Sequence, residues 1–235
     1  MAQQCKMMLN NHNGLEIVLD KISDEFMLEL KKIVLEYNDF FQKKNNHINY
    51  VNLYQKNLTL NKYDYLLNYL KEIEPINNDI MKHNILYYGF IVSQPNNKNQ
   101  YFHIDYKGKT VTYFIPLVNL SNKNGTEYLY FYDSSNYIKY FKLFIDITKV
   151  YINRDDVISH LEKYNLYNMK DYEFKFANTC AFSVIRLPHD VFHRGKINET
   201  NENRVMFQIT FEMEPITFLQ NEEFVHIAED DDNED

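Results

Sequence analysis

Tryptophan is absent from this chain of 235 residues, and cysteine occurs only at Cys5 and Cys180. Two thiols cannot build a disulfide framework or a thiolate zinc site, which excludes a small secreted scaffold and a zinc-finger module. Glycine and proline number five each, too few for a collagen-like or low-complexity architecture. No apolar run approaches the roughly 18 residues that cross a bilayer. The opening MAQQCKMMLNNHNG lacks the basic-then-apolar build of a signal peptide. Together these absences predict a soluble, cytoplasmic protein with no membrane partner. An excess of basic charge is missing too: 25 Lys and Arg stand against 33 Asp and Glu, a net charge of −8. Broad binding to a phosphate backbone needs clustered cations and is therefore disfavoured, with Lys107 and Lys109 the one place where a basic groove could form. Part of the acidity lies in AEDDDNED, residues 228–235, expected to be a solvated, disordered tail.

Aromatic side chains are what the chain has in abundance: 20 Tyr and 17 Phe make up 16% of it, enough at this length for one substantial core. Residues 15–75 read as helical. Ile22, Phe26, Leu30, Ile33 and Val34 recur at helical spacing between Leu15 and Phe41, and Ser23 ahead of Asp24 and Glu25 suits a helix N-cap. Residues 61–73 form a second amphipathic stretch whose end Pro75 marks. From residue 84 the texture changes. NILYYGFIVS, TVTYFIPLVNL, EYLYFYD, CAFSVIRL and RVMFQITFEM are short runs rich in β-branched and aromatic residues, with Asn-Lys-Asn-Gly at 122–125 a turn between two of them. A more helical insertion occupies 134–170, DDVISHLEKY being its clearest piece. The expectation is one α+β domain over residues 1–227: N-terminal helices packed on a β-sandwich or jelly roll formed by 84–213.

The chemistry is concentrated in two places. In a strand, residues i and i+2 face the same way, so His103 and Asp105 of QYFHIDYKG project together. His193, in PHDVFHRG, completes a facial triad of two histidines and one carboxylate. That donor set leaves coordination positions open and is favoured by non-haem Fe(II) oxygenases. It also suits zinc or manganese, so a cupin-like hydrolase or isomerase is a competing reading, and an inactive jelly-roll binding module is a third. His189 is the rival second histidine; His193 is preferred because it stands closer to the strand headed by Arg204. On that strand Arg204, Met206, Gln208 and Thr210 share a face. Arginine is scarce, with only Arg154, Arg186, Arg194 and Arg204 among the 25 basic residues. A guanidinium fork binds carboxylate in a bidentate way, which makes Arg204 a candidate anchor for a dicarboxylate co-substrate. Arg194, next to His193, is expected to point away from the metal, towards the surface. Tyr101 and Thr112 fall on the faces assigned to His103 and the pocket, which they are expected to line.

These residues resemble the Fe(II)/2-oxoglutarate-dependent dioxygenase superfamily, whose fold is a double-stranded β-helix of the jelly-roll kind. Within it the layout is most similar to the phytanoyl-CoA dioxygenase branch. Residues 100–128 carry the H-x-D, a Thr-containing strand and an Asn-Gly turn in that branch's order, and 188–211 carry the distal histidine and the arginine. The resemblance covers about 84–213. It implies that His103, Asp105 and His193 bind Fe(II) and that Arg204 holds the distal carboxylate of 2-oxoglutarate, with ascorbate supporting turnover. The implied reaction is hydroxylation coupled to decarboxylation of 2-oxoglutarate to succinate and CO2. Asp105 favours this over halogenation, and demethylation and desaturation are its variants. One departure stands out. Some branches place Ser or Thr two residues after the arginine to help hold the carboxylate, whereas this chain has Met206. The missing hydroxyl then comes from elsewhere, with Thr112 or a pocket tyrosine such as Tyr101 as candidates, or the pocket is more apolar. The acidic balance favours a small molecule or a protein side chain over nucleic acid as substrate.

Overall fold

A computed structural model describes residues 15–42, 48–54, 62–105, 110–132, 154–163, 172–188 and 191–213. Its first element departs from the helical expectation. Glu16–Leu19 is strand β1, paired antiparallel with β7 (Val184–Pro188). The adjacent β-branched Ile17 and Val18 lose less side-chain freedom in a strand than in a helix. The helix starts later: α1 (Asp24–Glu36) is capped by Ser23, whose side chain accepts from the Phe26 amide at 3.3 Å, and Asp24 and Glu25 lie in its first turn. Phe26, Leu30 and Ile33 form its buried stripe.

After α2 (Asn38–Gln42) comes an unanticipated strand, β2 (Asn49–Asn52), then the short α3 (Leu66–Leu70) and α4 (Glu74–Lys82). Pro75 opens α4 instead of merely closing the stretch before it, since the first helical turn has no use for the amide hydrogen that proline lacks. The remaining elements are β3 (Asn84–Ser93), β4 (Thr110–Pro116), β5 (Thr126–Phe131), α5 (Arg154–Lys163), β6 (Tyr172–Phe176), β8 (His193–Gly195) and β9 (Arg204–Glu212).

Two antiparallel sheets result, a six-stranded one of order β1-β7-β4-β9-β3-β2 and a three-stranded one of order β6-β5-β8. Strand alternation gives β9 two faces. Val205, Phe207, Ile209 and Phe211 join Tyr88 and Phe90 of β3 in a cluster with Phe26, Leu30, Leu66 and Ile76 of the helices. Phe207 meets Phe26 and Phe90 edge-on, at centroid separations of 6.2 and 5.5 Å. Met206, on the other face, packs with Phe114, Ile185 and Leu187 of the large sheet and with Tyr128 and Tyr130 of the small one. The sheets therefore face each other across the side of β9 that carries Arg204. A third cluster joins Leu129 and Phe131, on the opposite side of β5, to Val157 and Leu161 of α5.

The turn at 122–125 forms as expected: Asn124 Oδ1 accepts from the Ser121 amide, and the Gly125 amide donates to Ser121 O. A Cβ at Gly125 would lie 2.3 Å from Ala177 O, a close approach only glycine permits. No helix among the described residues is long and apolar enough to cross a membrane. Cys5, Lys107, Lys109, His189, the tail 228–235 and most of the 134–170 insertion lie outside the described residues.

Candidate metal centre

His103 and His193 are held by each other's backbone. The His103 amide donates to His193 O at 2.8 Å and the His193 amide to His103 O at 2.9 Å. His193 heads β8, paired with Tyr128 of β5, so its ring shares the inter-sheet face with Tyr128. Both rings are oriented alike: Nδ1 of His103 lies 2.7 Å from Tyr101 O, and Nδ1 of His193 lies 2.8 Å from Val191 O. A carbonyl can only accept, so each Nδ1 carries the hydrogen and each Nε2 presents its lone pair. Those Nε2 atoms lie 3.4 Å (His103) and 3.3 Å (His193) from Asp105 Oδ1.

Three lone-pair donors facing one another invite a cation between them. One ligand atom from each residue falls within 4.8 Å of the others, and ligands at right angles around an ion with bonds of about 2.1 Å stand roughly 3 Å apart. The charges agree. Burial alone would raise the Asp105 carboxyl, but the two imidazoles outweigh it and hold the group far below the usual carboxylate range. Burial alone would lower the His193 imidazole, but the Asp105 charge and hydrogen bond, helped by Val191 O, raise it, so a proton competes with a metal for the Nε2 lone pair. The donor set fits a divalent metal with open positions, as in non-haem iron sites.

Arg204 is 1% exposed. Its Nη1 donates to Asn124 O at 2.8 Å and to Lys196 O at 3.3 Å, and Nη2 donates to Ser93 Oγ, on the residue paired with it in β3. Nε is buried and has no partner among the described residues. Carbonyls and a hydroxyl do not neutralise a cation, and burial pulls the guanidinium down to about 10. A buried charge without its counter-ion is costly, so the site suits an anion. The two halves meet at Gly195, two residues after His193: a Cβ there would lie 3.1 Å from Arg204 Nη2.

His103, Asp105, His193 and Arg204 are thus brought together; Thr112 and Tyr101 are not part of the arrangement. Thr112 pairs with Thr210, their hydroxyls 2.9 Å apart. That is six residues along β9 from Arg204, about 20 Å at 3.3 Å per residue. Its face is as expected but its height is wrong, and Ser93 supplies the hydroxyl beside the arginine. Tyr101 is 42% exposed and acts through its carbonyl. Arg194 points away from the triad but is buried, not superficial. It is paired with Glu127 at 2.7 Å and lies over the Phe102 ring at 4.3 Å. Arg154 of α5 grips the other oxygen of Glu127. Tyr50, Ser93, Gln100 and Glu127 escape sequence reasoning, because only the folded register brings them beside the motif. Next to Tyr128 opens a cavity of about 590 Å³, bounded by Ile17, Ile185, Lys175 and Thr179. Burial pushes the Tyr128 phenol up to about 12, so it is neutral at physiological pH.

No protein-family profile matches the sequence, and no curated protein does. Solved structures do resemble the fold. The non-haem α-ketoglutarate-dependent carbocyclase SnoK from nogalamycin biosynthesis aligns with a TM-score of 0.58 at 11% identity, over 85% of this chain and 80% of that one. The epimerase SnoN in complex with Fe3+, α-ketoglutarate and nogalamycin RO gives 0.55 at 9% identity, over 85% and 79%. HygX from Streptomyces hygroscopicus, with nickel and 2-oxoglutarate bound, gives 0.53 at 7% identity, over 85% and 82%. This chain therefore has a mixed α/β fold with antiparallel sheets like that of non-haem iron, 2-oxoglutarate-dependent enzymes.

Proposed function

We propose that the chain is an Fe(II)- and 2-oxoglutarate-dependent oxygenase with a double-stranded β-helix (jelly-roll) core, most like the phytanoyl-CoA dioxygenase branch. Its proposed reaction is hydroxylation of a small molecule or protein side chain in the cytoplasm. The observation carrying this reading is the meeting, at Gly195, of a two-histidine, one-carboxylate cluster with a buried arginine that has no counter-ion among the described residues. When bound, iron and the keto-acid supply the oxidant, the keto-acid being consumed to succinate and CO2.

The chain's residues supply geometry and charge. His103, Asp105 and His193 would hold the metal from one side, the carbonyls of Tyr101 and Val191 keeping both Nε2 atoms aimed at it. Arg204 would pair with the distal carboxylate through Nε, which has no partner among the described residues. Met206, Ile91 and Tyr128 keep the surrounding space apolar, which strengthens that pairing. Neither the triad nor Arg204 lines the cavity beside Tyr128, so the reading rests on the cluster and the arginine. Asp105 fills a ligand position and favours hydroxylation, although similar folds include a carbocyclase and an epimerase, so the product must be identified.

The test is succinate formation from 2-oxoglutarate with Fe(II), ascorbate and air. His103→Ala and Asp105→Ala should lose metal binding and turnover together. Full metal binding and activity in both variants would mean that the triad is misassigned. A zinc hydrolase on the same fold would neither bind nor consume the keto-acid.

A further inference from the structure

Tyr50 lies on edge strand β2 and carries no motif. In register it pairs with Ile91, which in turn pairs with Met206, so its side chain projects to the face that carries Arg204. Its hydroxyl accepts from Gln100 Nε2 at 3.1 Å. The orientation of that amide is fixed from its other end, because Gln100 Oε1 accepts from the Gly195 amide at 2.7 Å. An oxygen must face the Gly195 N–H, and so the NH2 group must face Tyr50. The phenolic oxygen is thereby occupied as an acceptor, while its own hydrogen remains available to donate.

Gly195 places this group. A Cβ there would lie 2.5 Å from Gln100 Oε1 and 3.1 Å from Arg204 Nη2, so the amide that holds Tyr50 and the guanidinium converge on one glycine. The electrostatics agree with the geometry. Burial pushes the phenol up, the Asp105 charge pushes the same way, and the Gln100 bond and the Arg204 charge oppose them. The hydroxyl therefore senses both the metal-binding carboxylate and the arginine. The residue as a whole is 47% exposed.

We propose that Tyr50 is a co-substrate-binding residue that donates its phenolic hydrogen to the distal carboxylate held by Arg204, a second hydroxyl beside that of Ser93, which accepts from the guanidinium. This rests on the keto-acid reading of the site. Gln100 is the positioning residue that aims the phenol. Edge strand β2 is then a functional part of the site as well as a border of the sheet.

The experiment is calorimetry on the full chain loaded with Ni(II), titrated with 2-oxoglutarate and with 2-oxobutyrate, which has the same keto-acid head but no distal carboxylate. Tyr50→Phe removes one oxygen and keeps the ring. It should weaken 2-oxoglutarate binding about tenfold, the scale of a hydrogen bond to a charged group, and leave 2-oxobutyrate binding unchanged. Undiminished 2-oxoglutarate binding in the variant overturns the assignment of Tyr50 alone. Equal weakening of both acids does so too, because the phenol would then act at the keto-acid head or on the metal. If the wild-type protein binds no 2-oxoglutarate, the keto-acid reading falls and takes the Tyr50 assignment with it.

Discussion

Each histidine of the triad has a neighbour that anchors its backbone from the outer side. Phe102 precedes His103 and Phe192 precedes His193, and the two rings stack at 5.5 Å. Arg194, which follows His193, lies over Phe102 and pairs with the buried Glu127. His193 and its bridge to His103 are thus clamped from behind while the two rings face Asp105. Removing one partner of a buried pair leaves an uncompensated charge, so Glu127→Ala should cost about 3–5 kcal/mol by denaturant unfolding. Arg154→Ala, on a side chain 44% exposed, should cost about 1 kcal/mol or less. Equal losses would contradict the clamp. At this scale the sequence is informative for Arg204, which falls on the inner face of its strand as period alone requires. His103 and Asp105 also come together, but from an isolated bridge to His193 and a bend, not from a strand. Register is not visible in that way. Thr112 has the right face but lies about 20 Å along the ladder from Arg204. Ser93 reaches the site through its pairing with Arg204, and Gln100, in a loop, through its backbone and side-chain bonds to Gly195.

Among the elements, apolar pattern and capping chemistry explain what could be read. Ser23 with its acidic first turn marks the start of α1, and Ser23→Ala should lower stability by about 1 kcal/mol in thermal unfolding. An unchanged melting curve would show that the cap contributes nothing. The runs at 84–93 and 204–212 become β3 and β9 because β-branched and aromatic residues pack well on a pleated surface. Glu16–Leu19 is misread as helix because a short apolar run fits either period, and only its partner β7 decides. Asn49–Asn52 has one buried residue, Val51, too weak a pattern to announce the strand that carries Tyr50.

In the whole molecule, the proposed site belongs to neither sheet alone. His193 stands on β8 of the three-stranded sheet, bridged to His103, while Arg204 stands on β9 of the six-stranded one. Helices pack on the far side of β9, and the distance between the triad and the arginine depends on the packing of the two sheets. A keto-acid chelating the metal and reaching Arg204 would join the two sheets, and this is the central claim. Its most direct test is anaerobic titration of the Fe(II)-loaded protein with 2-oxoglutarate, followed by the visible charge-transfer absorption of an iron–keto-acid chelate. The account predicts a saturable band that requires iron. The band should be lost in His193→Ala, and in Arg204→Met it should be reached only at much higher 2-oxoglutarate while iron binding stays intact. Full iron loading with no band in the wild-type protein, or an unshifted titration in Arg204→Met, would contradict it.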